Sequence, residues 1–208
     1  MKKNKISKTW INKQRRDIYV RKSKLEGYRS RAIYKLKEID DKFKIIRNGI
    51  KVVDLGSAPG SWSQYLSEKS KNSKILSIDL KNIEKIHNVT HLRGDFLDEK
   101  NQTIISNFFG DKLDLIVSDM AVNTTGNKNL DAISTGELSI NAMEFSFKNL
   151  KKDGSFVSKI FMGSTFNEIV ENCKKNFKEV KVYKPPSLSL IHISEPTRPE
   201  RIGDAVFF

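Results

Sequence analysis

The unit at residues 51–68 constrains this chain more than any other feature. Lys51-Val-Val-Asp-Leu is a short apolar strand that runs into Gly56-Ser-Ala-Pro-Gly60, and Ser61–Glu68 continues with helical character. Glycines between a strand and a helix allow a tight turn whose backbone N–H groups approach a ligand closely. The alternation continues downstream. Lys74–Asp79 and Val89–Arg93 read as strands, Asn101–Phe109 as a helix and Leu113–Val117 as a continuous apolar strand. Ser134–Leu150 reads as a long helix closed by Asp153-Gly154. Ser155–Phe161 is then a strand, Thr165–Asn176 a helix, and Glu179–Tyr183 a strand stopped by Pro185-Pro186. Strands alternating with helices make βαβ units. The expected fold is α/β: a Rossmann-like, mainly parallel sheet with helices on both faces. Helical patterns at residues 10–24 and 28–42 precede it, the second ending near Asn48-Gly49.

Charge divides the chain. The net charge is +13, and residues 1–51 hold 18 Lys and Arg against 5 acids, whereas residues 52–208 hold 20 of each. A basic segment ahead of a neutral body suits a polyanion, nucleic acid first and an acidic membrane second. Trp10, Ile11, Tyr19, Val20, Leu25, Tyr28, Ile33, Tyr34, Leu36 and Ile39 are interleaved with these charges. Such anchors let the segment dock on a core, and aromatics beside Arg and Lys suit stacking on bases. No apolar run approaches the roughly 18 residues of a membrane helix. Met1-Lys-Lys-Asn-Lys leads into no apolar run of a secretory signal. The single cysteine, Cys173, excludes an internal disulfide and a multi-Cys metal site, with a reducing cytoplasm as the default location. His87, His91 and His192 form no metal-ligand pattern, so no metal is expected.

Asp54, Asp79, Asp95 and Asp119 fall at the C-terminal ends of four successive expected strands, where ligands bind in such sheets. Each alone suits a turn or helix cap. Together they suit a cationic, hydroxyl-rich ligand and repel a diphosphate. The glycine spacing is also neither G-x-G-x-x-G nor a Walker A, which disfavours a nicotinamide-dependent oxidoreductase. S-adenosylmethionine fits: its sulfonium and amino group are cationic and its ribose presents two hydroxyls. Asp54 and the Gly56–Gly60 turn are assigned to its methionine end, Asp79 to the ribose and Asp95 to the adenine amino group. Trp62 either walls that pocket or packs in the core. Lys159 lies inside an expected strand; a lysine there needs an acid, and Asp119 is the natural partner, unless the side chain points to solvent from a sheet edge. An amine beside a carboxylate near a methyl donor suits activation of a ribose hydroxyl.

Five ordered motifs carry a family resemblance: Tyr28-Arg-Ser-Arg-Ala-Ile-Tyr-Lys-Leu, Asp54-Leu-Gly-Ser-Ala-Pro-Gly-Ser-Trp-Ser-Gln, Gly94-Asp-Phe, Ser118-Asp-Met-Ala and Val157-Ser-Lys-Ile-Phe. From about Trp10 to Pro186 the chain resembles the FtsJ-type ribosomal RNA methyltransferases, the large-subunit 2′-O-methyltransferase E group. The resemblance implies an S-adenosylmethionine-dependent enzyme. It implies 2′-O-methylation of a uridine in the A-loop of large-subunit rRNA, on an assembled ribosomal particle late in assembly. It implies Lys35, Asp119 and Lys159 as the catalytic set, and Gly60, Trp62, Asp79, Asp95 and Asp119 as cofactor contacts. Ser61 and Val122 stand where the family often has Gly and Pro. A 2′-O-methyltransferase for tRNA or an mRNA cap is the nearest rival, and a non-catalytic RNA-binding assembly factor is the rival from another class.

The C-terminal end departs from the family. After Lys184-Pro-Pro-Ser the family continues with Ser-Arg-x-x-Ser-x-Glu and a last strand, its Glu being a fourth catalytic residue. Ser194 occupies that position here, with Glu195 one place out of register. Residues 188–208 resemble translated adapter or vector sequence, the mark of a frameshift or chimeric end. The apolar phase slips between Leu190 and Ile191, and Pro196 and Pro199 oppose a regular strand beyond. The expected organisation is a basic, RNA-docking extension over 1–48, a methyltransferase domain over 49–187 and a non-native tail over 188–208. A monomer is expected, with impaired activity and a poorly covered sheet edge beside Glu179–Tyr183.

Overall fold

The computed structural model describes residues 18–121, 128–160, 165–187 and 202–207. Residues 18–25 form helix α1. There follow α2 (Ile33–Phe43), β1 (Lys51–Leu55), α3 (Ser61–Lys69), β2 (Lys74–Asp79), β3 (Val89–Arg93) and α4 (Glu99–Phe109). The chain continues through β4 (Leu113–Ser118), α5 (Lys128–Asn149), β5 (Leu150–Ser158), α6 (Phe166–Asn176), β6 (Lys178–Val182) and β7 (Ile202–Phe207). The sheet order is β3-β2-β1-β4-β5-β7-β6, with every pairing parallel. The order reverses between β1 and β4, which places the ligand crevice beyond their carboxyl ends.

Strand alternation supplies two cores. Val53, Leu55, Leu76, Ile78, Ile116 and Phe156 face α4, α5 and α6, where Ile105, Phe109, Met143, Phe145, Ile169 and Cys173 are buried. Val52, Ile75, Leu115, Val117 and Val157 face the opposite way, against α2 and α3. Ile33, Leu36 and Ile39 of α2 have no solvent exposure, and each contributes about 1.5–3 kcal/mol by burial. α2 is therefore part of the sheet's own packing, although it falls inside the basic segment. Tyr34, expected among the aromatics suited to base stacking, is only 3% exposed and sends its hydroxyl to Glu26 at 2.8 Å. Tyr19 and Tyr28 pack around its ring, with centroids 5.1 and 6.4 Å away. These rings are employed in packing. Trp10 and Ile11 lie outside the described residues.

α2 ends before the expected Asn48-Gly49. Lys44 takes a left-handed conformation, and buried Asp40 accepts the Ile46 N–H at 2.9 Å and the Tyr65 hydroxyl at 3.2 Å. That carboxylate turns the chain back so that Ile45 and Ile46 are buried. β5 starts earlier than the expected Ser155. A register shift opposite Leu113–Leu115 takes up residues 151–154 within the strand. Gly154 permits this, since a Cβ there would lie 3.0 Å from the Leu113 carbonyl oxygen.

The largest difference is β7. A strand was not expected beyond Pro196 and Pro199, yet residues 202–207 insert between β5 and β6. Ala205, Val206 and Phe207 are fully buried, and the Tyr183 N–H donates to the Phe207 carbonyl at 2.7 Å. The small and apolar residues fit a slot flanked on both sides by ladder partners, so the sides of β5 and β6 that face each other are both paired, and β6 is the outer strand. The phase slip at 190–191 and Ser194 lie outside the described residues.

Candidate active site

The glycine turn is braced on β2. Gly56 and Ser57 donate N–H bonds to the Ile78 carbonyl at 2.9 and 3.2 Å, and Ala58 N–H reaches Asp79 Oδ2 at 2.9 Å. Gly56 has φ +71° and sits against Met120 at the end of β4; a Cβ there would lie 2.0 Å from Met120 Cγ. Gly60 has φ +100° and opens α3. Both positions demand glycine for conformation, and Gly56 for space as well.

Each of the four acids has partners of its own. Asp54 is 1% exposed inside β1, and its Oδ2 accepts the Ser63 hydroxyl at 2.6 Å. Burial pushes its carboxyl up to about 7; the Ser63 hydroxyl opposes this, and the charges of Asp119 and Asp79 add to it. Asp79 is half-buried and spans the Ala58 and Lys81 N–H groups. Asp95 is exposed, with its side chain on the Leu97 N–H at 3.0 Å. Trp62 is 3% exposed among the α2–α3 core residues and donates Nε1–H to the Ala32 carbonyl at 2.8 Å. An indole needs both a dry slot and an acceptor for its N–H, and α2 supplies both.

Lys35, Asp119 and Lys159 meet. Lys35 is carried by α2, Asp119 follows β4 and Lys159 follows β5. Lys35 Nζ donates to both Asp119 oxygens, at 2.8 and 2.6 Å. Lys159 Nζ lies 3.2 Å from Asp119 Oδ1 and donates to the Asp119 carbonyl at 2.9 Å. The β4–β5 ladder fixes the pair, since Lys159 N–H donates to the Ser118 carbonyl at 2.9 Å. Side-chain exposures are 17% for Lys35, 16% for Asp119 and 13% for Lys159, so Lys159 does not point into solvent. Burial lowers the Lys159 ammonium pKa below its ordinary value; Asp119 opposes that shift and the Lys35 charge adds to it. Two ammonium groups share one carboxylate, so one amine is poised to release a proton or to face an anion.

A model of the FtsJ-like methyltransferase family matches residues 28–190. The chain belongs to the FtsJ-like methyltransferase family. It is 62% identical over 187 residues to the ribosomal RNA large subunit methyltransferase E of Pelagibacter ubique, covering 90% of this chain and 92% of that one. The protein of the same name from Rickettsia akari is 46% identical over 192 residues, covering 89% and 85%. A crystal structure described as a ribosomal RNA methyltransferase from Plasmodium falciparum superposes with a TM-score of 0.68 at 32% identity, covering 72% of this chain and 87% of that one. An FtsJ-like enzyme needs a methyl donor, and the turn fits one. Ser57 Oγ is buried without a hydrogen-bond partner among the described residues, inside the turn whose Gly56 admits no Cβ. A buried hydroxyl of this kind calls for a polar ligand.

One residue escaped the sequence reading. Arg29 counted there as docking charge, but its guanidinium donates to the carbonyls of Pro59, Glu84 and Lys85 at 3.2, 2.9 and 3.1 Å. Only its place in the Tyr28–Leu36 motif hinted at a role in the site. Among the described residues no cluster of His, Cys, Asp and Glu could hold a metal ion, and no helix is long and apolar enough to cross a membrane.

Proposed function

We propose that this protein transfers a methyl group from S-adenosylmethionine to the 2′-hydroxyl of a uridine ribose in the A-loop of large-subunit rRNA, on an assembled ribosomal particle late in assembly. The observation that carries the reading is the Lys35–Asp119–Lys159 cluster at the carboxyl ends of β4 and β5. The names of the curated relatives support large-subunit rRNA as substrate. In this reading residues 1–48 dock the RNA, residues 49–187 carry the transfer, and residues 188–208 are a foreign ending. The enzyme acts as a monomer in the cytoplasm.

S-adenosylmethionine, when bound, supplies an electrophilic methyl on a cationic sulfur. Asp54, Gly56, Ser57 and Gly60 would hold its methionine end. Asp79 retains acceptor capacity for the ribose, and Asp95 lies at the end of β3 for the adenine amino group. Lys159 takes the proton of the 2′-hydroxyl, or faces the developing oxyanion as an ammonium. Its lowered pKa favours the first role. Asp119 orients Lys159 and binds Lys35, which positions the ribose. Much of the rate acceleration comes from that positioning. Ser194, standing where the family has a catalytic Glu, makes reduced turnover the expectation.

The test is transfer of labelled methyl to large ribosomal subunits, free rRNA and tRNA. Label in a large-subunit ribose supports the proposal. Label in tRNA moves it to the rival enzyme, and RNA binding without transfer moves it to the assembly-factor reading.

A further inference from the structure

Arg29 belongs to the basic segment, yet its contacts are of another kind. Among the described residues its side chain donates to three backbone carbonyls: Pro59 in the glycine turn, and Glu84 and Lys85 in the loop between β2 and β3. The guanidinium also lies directly against the turn's second glycine. A Cβ on Gly60 would come within 3.0 Å of Arg29 Nη1, and equally close to Ile86 Cδ1. Gly60 is therefore pressed between the arginine and the same loop the arginine holds.

The neighbouring residues fasten the same place. Arg29 N–H donates to Gln64 Oε1 at 3.4 Å, and Gln64 Nε2 donates to the Gly27 carbonyl at 3.2 Å. Ser30 Oγ and Ser61 Oγ are 2.8 Å apart, at the first residue of α3. Trp62 holds Ala32, and three residues further on Lys35 holds Asp119. Residues 27–35 thus run as one strap across the cofactor turn, the start of α3 and the lysine–carboxylate cluster. Arg29 is the member of that strap that touches the turn and the β2–β3 loop together.

We propose that Arg29 is a positioning residue for the cofactor turn rather than a phosphate-docking charge. It closes the β2–β3 loop onto Pro59 and Gly60 and so sets the shape of the pocket between them. This inference rests on the proposed reading that S-adenosylmethionine binds at this turn. Its geometry depends on a planar fork with several fixed donors, which a lysine ammonium does not reproduce. A docking charge, by contrast, is largely replaceable by lysine, because a phosphate is read mainly through charge.

The experiment compares wild type, Arg29→Lys and Arg29→Ala. S-adenosylmethionine affinity is measured by calorimetry, and binding to an rRNA fragment is measured over a range of salt. Both variants should lose at least about tenfold in cofactor affinity, as expected on breaking charge-assisted hydrogen bonds. The slope of log affinity for RNA against log salt should stay unchanged. Wild-type cofactor affinity in Arg29→Lys overturns the inference. So does a slope reduced by about 0.7–0.9, the loss of one phosphate contact. A lowered melting temperature with unchanged cofactor affinity also overturns it, since the role is then merely structural. Failure of wild type itself to bind S-adenosylmethionine is a different result: it removes the proposed function, and this inference with it.

Discussion

Asp119→Asn removes the one negative charge between two ammonium groups while keeping the shape of the side chain. In the native protein Asp119 lies 2.6 Å from Lys35 Nζ and 3.2 Å from Lys159 Nζ. Stripping a buried ion pair of one partner costs about 3–5 kcal/mol. The side chains here keep 13–17% of their exposure, so the lower end applies, about 3 kcal/mol. For a chain of this size that is a fall in Tm of roughly 6–12 °C. The loss should depend on pH. Lys159 already binds its proton less tightly in the folded state than its ordinary value, chiefly through burial. The unfolded chain therefore binds more protons between the folded and ordinary pKa values, and stability rises with pH across that window. Removing Asp119 takes away the charge that opposes the shift, so the window opens at lower pH in the variant. Urea denaturation at pH 6, 7.5 and 9 should show the gap between variant and wild type narrowing as pH rises. A gap that stays constant refutes the idea that an uncompensated Lys159 charge is its source.

Three further outcomes follow from the same contacts. Lys159→Ala should abolish methyl transfer while calorimetry shows S-adenosylmethionine still bound; retained turnover removes Lys159 from the catalytic set. Asp54 holds its proton in the folded state up to about 7, against 3.8 ordinarily, so its contribution to stability is lost as pH rises through that interval. Asp54→Asn should flatten this fall, read as the difference in urea midpoint between pH 5 and pH 8. Truncation after Ser187 deletes β7 and with it the buried Ala205, Val206 and Phe207. Val206 and Phe207 alone account for about 3–6 kcal/mol of burial, so the truncated chain should denature at clearly lower urea, and an unchanged midpoint means β7 adds nothing.

Local pattern made most of the sheet readable. β2 and β3 have the expected bounds, Lys74–Asp79 and Val89–Arg93, and the Gly56–Gly60 turn opens α3 at the expected Ser61. The lysine–aspartate partnership was readable in part, because a lysine among buried strand residues must find an acid. Lys35 was reached only through the family motif, since nothing in a lysine-rich helix marks one lysine as special. What failed to show was partner identity over long range. Asp54, Asp79, Asp95 and Asp119 read alike as acids at strand ends. Only packing gave Asp54 to Ser63, Asp79 to the Ala58 N–H and Asp119 to Lys35 beside Lys159.

The sequence by itself determined the alternation of elements, the glycine turn and the concentration of positive charge in residues 1–51. These depend on neighbours a few positions apart, where periodicity and backbone freedom act directly. The tertiary structure decided how that charge is used. It withdrew Arg29 to brace the turn and Lys35 to bind Asp119, and it turned Tyr34 and Trp62 into the core. It also placed residues 202–207 between β5 and β6 despite two prolines upstream. A buried slot selects whatever apolar segment satisfies its two open ladders, and that selection is made in space rather than along the chain.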